Sequence, residues 1–179
     1  MQANTLSYET LAETSDEARE EVLRQGATPN FDELEGWEFR GYNVNPVSEL
    51  IRARKFKKGF YADPADPAIM RGYNVKVEQN GLLNPWVDQL QHGAPVRHAL
   101  YAVYPVRADE KDNLYPQALM LNYGMGQNPP FDPSRVLRDY LVQVSPDNTD
   151  LYLGKAYAAI GPIRTFGGWF ILERYNRAP

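Results

Sequence analysis

The chain has 179 residues, a net charge of −4 at pH 7 and no cysteine. This length suits one domain with a sizeable core, and the lack of cysteine excludes disulfides, thiolate metal sites and cysteine nucleophiles. The negative charge argues against a general nucleic-acid-binding protein, which needs many basic contacts to phosphate, and no apolar run reaches the roughly 18 residues of a membrane span.

The first 21 residues, MQANTLSYETLAETSDEAREE, are polar and acidic. A secretory signal has an apolar core, and a transit peptide is rich in arginine and poor in acidic residues. Neither pattern is present, so we expect a cytoplasmic protein.

Helix-start signals occur three times. Thr14 and Glu17 form a capping box, and Gly26 follows as a helix end. Asn45 and Asn84 each precede a proline, which is typical of a cap residue followed by the first helical position. The predicted helices cover residues 14–25, 46 to about 53, and 85–91.

Short runs rich in aromatic and β-branched residues alternate with turn-forming residues along the rest of the chain. The predicted strands cover residues 36–43, 55–62, 69–79, 97–106, 116–123, two strands within 135–160, and 168–175. About eight short strands at near-regular spacing predict a mainly β protein, an antiparallel up-and-down barrel. We expect a single domain over 1–179, with a helical N-terminal extension at 1–30 and the barrel at 34–176.

The clearest element is the predicted hairpin RVLRDYLVQVSPDNTDLYLGKAYAAI at 135–160. Pairing Val144 with Leu151 places three further pairs opposite each other: Val142 with Leu153, Tyr140 with Lys155, and Arg138 with Tyr157. These residues share one face, which is the bulkier of the two, and we interpret it as the inward face. A slip of one residue would exchange the two faces.

This inward face places two cations, Arg138 and Lys155, and two phenols, Tyr140 and Tyr157, in an otherwise apolar cavity. A buried cation without a partner is costly, so such a cavity favours an anionic ligand. A structural ion pair, for example Asp139 with Lys155, is the competing explanation. The predicted ligand-binding residues are Arg138, Tyr140, Lys155, Tyr157, Tyr101 and Trp169. If the protein is an enzyme, the candidates for proton transfer are Lys155, Tyr157, Tyr140 and Asp139.

The two histidines, His92 and His98, lie six residues apart across a Gly-Ala-Pro turn. Metal or haem ligation by this pair lacks carboxylates at ligand spacing, so we predict no metal and no cofactor.

Gly36, Trp37 and Arg174 resemble the calycin group, which includes the lipocalins and lipocalin-like bacterial barrels. In that group a glycine and a tryptophan open the first strand, and an arginine near the last strand lies over the tryptophan. The lipocalin spacing is G-x-W, whereas Gly36 and Trp37 are adjacent here. The resemblance implies a barrel fold and a structural role for Trp37 and Arg174.

The sequence therefore predicts a lipocalin-like barrel that binds a small lipophilic molecule, and the two cations of the predicted inward face favour one with an anionic group. Two alternatives stay open: a barrel-shaped isomerase or cyclase acting on a lipophilic substrate, and an interaction domain with a filled barrel. A homo-oligomer is also left open.

Overall fold

A computed structural model describes residues 6–50 and 52–179. The strands of this part are β1 (Trp37–Asn43), β2 (Lys55–Ala62), β3 (Met70–Lys76), β4 (Leu90–Gln91), β5 (Ala94–Pro95), β6 (Arg97–Pro105), β7 (Leu119–Asn122), β8 (Leu137–Ser145), β9 (Asn148–Ile160) and β10 (Ile163–Arg177). Eight of them close into a barrel in the order β1-β10-β9-β8-β7-β6-β3-β2, while β4 and β5 form a separate small hairpin. All neighbouring barrel strands are antiparallel, so the prediction of a mainly β, eight-stranded antiparallel barrel is confirmed.

The helices are short. They are α1 (Tyr8–Glu13), α2 (Asp16–Gln25), α3 (Phe31–Leu34) and α4 (Val47–Leu50), with 3₁₀ turns at Tyr123–Met125 and Pro133–Val136. The first predicted helix is present as α2, although its cap is Ser15, whose side chain accepts from the Ala18 amide. None of the helices in the described residues has the length and apolarity needed to cross a bilayer.

The helix predicted at 85–91 is wrong. This segment is extended, and a bridge pairs Val77 with Asp88. The carbonyl oxygens of Asn84 and Pro85 accept hydrogen bonds from Lys55 Nζ, at 2.8 and 3.1 Å. These two carbonyls bind the buried Lys55 ammonium group and so do not form helical hydrogen bonds. The local sequence gives no sign of this distant partner.

The register predicted for the hairpin is correct except beside the turn, where the pairing shifts between Gln143 and Ser145 and the pair of Val144 with Leu151 is not formed. In β8 and β9, Tyr140 lies opposite Lys155, Val142 opposite Leu153 and Arg138 opposite Tyr157.

The choice of inward face is wrong. The barrel interior receives the smaller set of side chains, including Asp139, Leu141, Tyr152 and Ala156. Tyr140 and the other residues of its face point outward, where α1, α2 and the loops cover them. Because both faces of this hairpin are covered, side-chain bulk does not distinguish inside from outside.

The protein has two apolar clusters. The inner cluster takes side chains from all eight barrel strands, and a second cluster lies between the sheet and α1, α2 and the loop around Trp86. Aromatic rings fill one end of the barrel: Phe39 packs edge-to-face on Phe60 and on Tyr152, with centroid distances of 5.6 and 5.3 Å. Leu34 of α3 joins the inner cluster at this end. The filled end is therefore solid, and any internal space lies toward the other end.

Trp37 and Arg174 meet beside the filled end. The Arg174 guanidinium carbon lies 4.7 Å from the Trp37 ring centroid, and that of Arg177 lies 3.9 Å from the same ring. Arg174 also forms ion pairs with Glu33 of α3, at 3.0 Å, and with Asp150, at 2.5 Å. Arg174 thereby joins the first strand, the last strand and α3.

We expect Arg174→Met to lower the free energy of unfolding by about 2 kcal/mol, since it removes a cation-π contact and two ion pairs from a mostly buried side chain. Urea denaturation measures the change. Arg177→Met is the control because Arg177 stacks on the same ring and has no ion pair among the described residues. Equal losses in the two variants would show that the ion pairs contribute nothing.

Candidate functional site

A cavity of about 660 Å³ occupies the end of the barrel opposite the one that aromatic rings fill. Its apolar wall includes Phe56, Val75, Ala99, Leu137, Ala156 and Phe170. Its polar lining includes Lys58, Asn74, His98, Tyr123 and Asp139. This volume and this mixture are typical of small-molecule sites.

Two glycines keep the cavity open. A Cβ at Gly41 would lie 2.3 Å from the Phe56 ring, and one at Gly154 would lie 2.0 Å from the Phe170 ring. Each ring therefore lies against the bare backbone of a neighbouring strand, where a side chain would push it toward the barrel axis. Phe56 and Phe170 then contact each other edge-to-face at 6.2 Å. The space in the cavity results from this pairing of glycine with aromatic residues.

Lys58, Tyr123 and Asp139 form a buried triad in the cavity wall. Lys58 Nζ donates to the Tyr123 hydroxyl, which in turn donates to Asp139 Oδ2 at 2.9 Å. Lys58 Nζ also donates to Asn74 Oδ1 at 3.0 Å and lies 3.7 Å from Asp139 Oδ2. Lysine, phenol and carboxylate are thus joined in one hydrogen-bonded chain.

Burial sets the electrostatics of the triad. Loss of hydration lowers the pKa of Lys58 to about 8, although the Asp139 charge opposes this shift. Burial also raises the pKa of the Asp139 carboxyl, against the attraction of Lys58. The two shifts bring the proton affinities of amine and carboxylate closer together. Aromatic faces give the ammonium partial compensation, since Nζ lies 4.6 Å from the Tyr101 centroid and 5.2 Å from that of Phe170.

Two buried polar atoms on the cavity lining have no hydrogen-bond partner within the described residues: Asp139 Oδ1 and His98 Nδ1. Burying a polar atom without a partner costs free energy. Both atoms therefore lack the compensation that a hydrogen bond would give.

A β-bulge shapes the wall beside His98. The pairing of β3 with β6 shifts between Gly72 and Asn74, and Ala99 adopts a positive φ of 46°. The Asn128 side chain bonds both the amide and the carbonyl of Leu100, each at 2.7 Å. The bulge and these two hydrogen bonds place the Ala99 carbonyl beside the Asn74 side chain, which donates to it at 3.1 Å.

Most of the residues predicted from sequence lie outside the barrel. Lys155 Nζ donates to Glu20 of α2 at 2.6 Å and to the Tyr115 hydroxyl at 2.8 Å. Tyr157 and Trp169 surround it, with ring centroids 5.5 and 4.9 Å from Nζ. We call Glu20, Tyr115, Tyr140, Lys155, Tyr157 and Trp169 the outer cluster. These contacts hold α2 on the sheet.

Of the remaining predicted residues, one lies on the outward face of the barrel and two lie inside it. Arg138 lies on the outward face of β8 and donates to the carbonyls of Arg135 and Leu137. Tyr101 is inside, where its hydroxyl donates to the Gly59 carbonyl at 3.2 Å. Asp139 also lies inside, so the suggested pairing of Asp139 with Lys155 is wrong; its partner is Lys58.

His92 and His98 do not form a joint site. His92 is exposed in the turn between β4 and β5, whereas His98 lines the cavity. Burial lowers the pKa of His98, and the nearby charges of Lys76 and Lys58 lower it further. His98 is therefore a neutral cavity residue at pH 7.

Lys58, Asn74 and Tyr123 were not among the site residues predicted from sequence. A usable signal was present: Lys58 alternates with Phe56 and Phe60 on one face of β2. Asp139 alternates in the same way with leucines on β8. A single charge within an apolar face of each of two strands indicates a buried ion pair.

No protein-family model matches the chain, and no curated protein sequence matches it either. The geometry of the cavity is therefore the basis for a functional proposal.

Proposed function

We propose that the protein binds a small lipophilic molecule in the barrel cavity, as a lipocalin-like carrier or sequestering protein. The observation that carries this proposal is the cavity of about 660 Å³, which combines an apolar wall with a buried polar triad that has an unpaired acceptor, Asp139 Oδ1. Pockets for small molecules share this plan of a mainly apolar wall and a few convergent polar groups. The position of Arg174 over Trp37, beside the filled end, agrees with the calycin resemblance.

The triad favours a ligand with an uncharged oxygen-bearing end. Lys58 and Asp139 together carry no net charge, and Asp139 Oδ1 is an acceptor without a partner among the described residues. The case for an anionic ligand rested on Arg138 and Lys155 facing inward, which they do not. A hydroxyl or carbonyl group satisfies the triad without adding an unpaired charge.

One observation favours an enzyme as the second candidate. The chain of hydrogen bonds from Lys58 through Tyr123 to Asp139 is suited to moving a proton within an apolar site, as an isomerase or cyclase requires. Catalysis by this route predicts that Lys58→Met binds a substrate and does not turn it over. The third candidate, an interaction domain with a filled barrel, is disfavoured because aromatic rings fill only one end.

The test compares two adjacent residues on opposite faces of β9. Ala156→Phe fills the cavity, and we expect it to weaken binding of the neutral dye Nile red by at least about tenfold, which is roughly 1.4 kcal/mol. Lys155→Met alters the outer cluster and should leave dye affinity within about twofold. Fluorescence titration measures both, and native mass spectrometry of the purified wild type looks for a retained small molecule. Equal affinity of the wild type and Ala156→Phe would refute binding in the cavity.

A further inference from the structure

We propose that the ligand of the cavity is an aldehyde or ketone, and that Lys58 Nζ forms a reversible imine with it. This inference rests on the proposed function and adds the chemical class of the ligand. Three observations support it: the position of Nζ, the hydrogen-bonded chain to Asp139, and the different environments of the neighbouring lysines.

The position of Nζ suits attack on a carbonyl carbon. Lys58 lines the cavity beside Phe56 and Phe170, so the apolar part of a ligand is guided to the amine. Only 2% of the Lys58 side chain is exposed, which keeps bulk water away from the bond to be formed. An imine in water hydrolyses readily, and a dry apolar site favours its retention.

The hydrogen-bonded chain supplies the proton transfers. An ammonium group has no lone pair, so Lys58 must first lose a proton. This proton passes to the Tyr123 oxygen while the Tyr123 hydroxyl proton passes to Asp139, leaving a neutral amine and a neutral acid. The net charge of the triad stays zero throughout, so the transfer buries no additional charge.

Imine formation then proceeds in two steps, addition of the amine and loss of water. The amine nitrogen attacks the carbonyl carbon, one amine proton moves to the carbonyl oxygen, and a carbinolamine results. The Asp139 acid protonates the carbinolamine hydroxyl through Tyr123, the C–O bond breaks, and one water molecule leaves. The product is an iminium ion with the Asp139 carboxylate as its counter-ion. No electrons are exchanged with an external group.

Three other lysines are less suited to this chemistry. Lys55 also lines the cavity and burial lowers its pKa, but its Nζ is turned to Trp86 outside the barrel and donates to Asn80 Oδ1 and to the Asn84 and Pro85 carbonyls. Lys57 Nζ is held by Glu38 at 2.5 Å and by Asp88 at 2.8 Å. Lys155 Nζ is held by Glu20 at 2.6 Å. Their carboxylate partners raise the pKa of both groups, whereas the pKa of Lys58 falls to about 8. At neutral to mildly alkaline pH, Lys58 therefore has the larger fraction of free amine.

The experiment traps the imine. The full-length protein is incubated with decanal and sodium cyanoborohydride at about pH 8, where reduction by the reagent converts an imine into a stable secondary amine. Peptide mass mapping then locates the decyl group. We expect Lys58 to carry most of it, at least about tenfold more than the exposed Lys111, in spite of the burial of Lys58.

Two controls separate this inference from the proposed function. Decanol has the same chain and no carbonyl, so it should compete with decanal and with Nile red and form no adduct. Lys58→Met should abolish the cavity adduct and leave reductive alkylation of the exposed Lys111 unchanged. Decanol binding without selective modification of Lys58 overturns the imine proposal and leaves small-molecule binding intact. If neither decanol nor decanal displaces Nile red, and the dye binds Ala156→Phe as well as the wild type, both proposals fail.

Discussion

We expect Asp139→Leu to lower the free energy of unfolding by about 3 kcal/mol at neutral pH, because it leaves the Lys58 ammonium buried without its counter-charge. The double variant Lys58→Met/Asp139→Leu should recover to within about 1 kcal/mol of the wild type, or exceed it, since an apolar pair of similar volume avoids the cost of burying both charges. Urea denaturation of the wild type, both single variants and the double variant measures the coupling. Additive losses in the double variant would show that the two side chains act independently.

The same pair predicts a dependence of stability on pH. Burial lowers the pKa of Lys58 from 10.5 in the unfolded chain to about 8, so the unfolded state binds more protons between these values. Stability should therefore rise with pH across this window, by an amount on the order of 2 kcal/mol between about pH 7.5 and pH 9.5. Burial raises the pKa of tyrosines such as Tyr104 and Tyr140, and their effects begin near pH 10, above this range. The matched control is Lys58→Met/Asp139→Leu, in which the part of the rise due to Lys58 should disappear, whereas the lowered pKa of Lys55 acts in the same direction in both proteins.

The second large effect is expected at Gly126. A Cβ there would lie 1.9 Å from the Leu100 carbonyl oxygen, a backbone atom that the Asn128 side chain holds in place. Since no flexible side chain can yield, we expect Gly126→Ala to lower the free energy of unfolding by about 3 kcal/mol. Thermal and urea denaturation measure the loss.

Gly81→Ala is the matched control for that substitution. The nearest atom to a Cβ at Gly81 is the Asn84 side-chain nitrogen at 3.3 Å, the end of a mobile group. Its expected effect is within about 0.5 kcal/mol. Because Gly126 follows the turn that contains Tyr123, we also expect Gly126→Ala to weaken binding in the cavity. A loss at Gly126 no larger than that at Gly81 would contradict the close approach to Leu100.

The strands and their register could be predicted from sequence because they follow from local patterns. The pairing of Tyr140 with Lys155 depends only on a polar turn between two alternating runs. The inward face could not be predicted in the same way, because Gly154 and Ala156 are small in order to leave space inside. The face that lines the cavity therefore carries smaller side chains than the outward face, which α2 covers. The bulkier face of this hairpin is for that reason not the inward one.

The triad could not be predicted because its members come from separate elements. Lys58 is on β2, Tyr123 is in a 3₁₀ turn and Asp139 is on β8. Only closure of the barrel brings them together, so local sequence cannot reveal their hydrogen bonds. Each charge was nevertheless visible as a polar interruption in an apolar face, and a search for such interruptions would have selected Lys58 and Asp139.

The pairing of β1 with β10 has a consequence for the synthesis of the protein. The first barrel strand has no partner on one side until the last strand has left the ribosome, since Trp37 pairs with Arg177 and Asn43 with Phe170. Until then the nascent sheet has an unpaired backbone edge, which is prone to association with other chains. The barrel therefore cannot close before β10 has been synthesised.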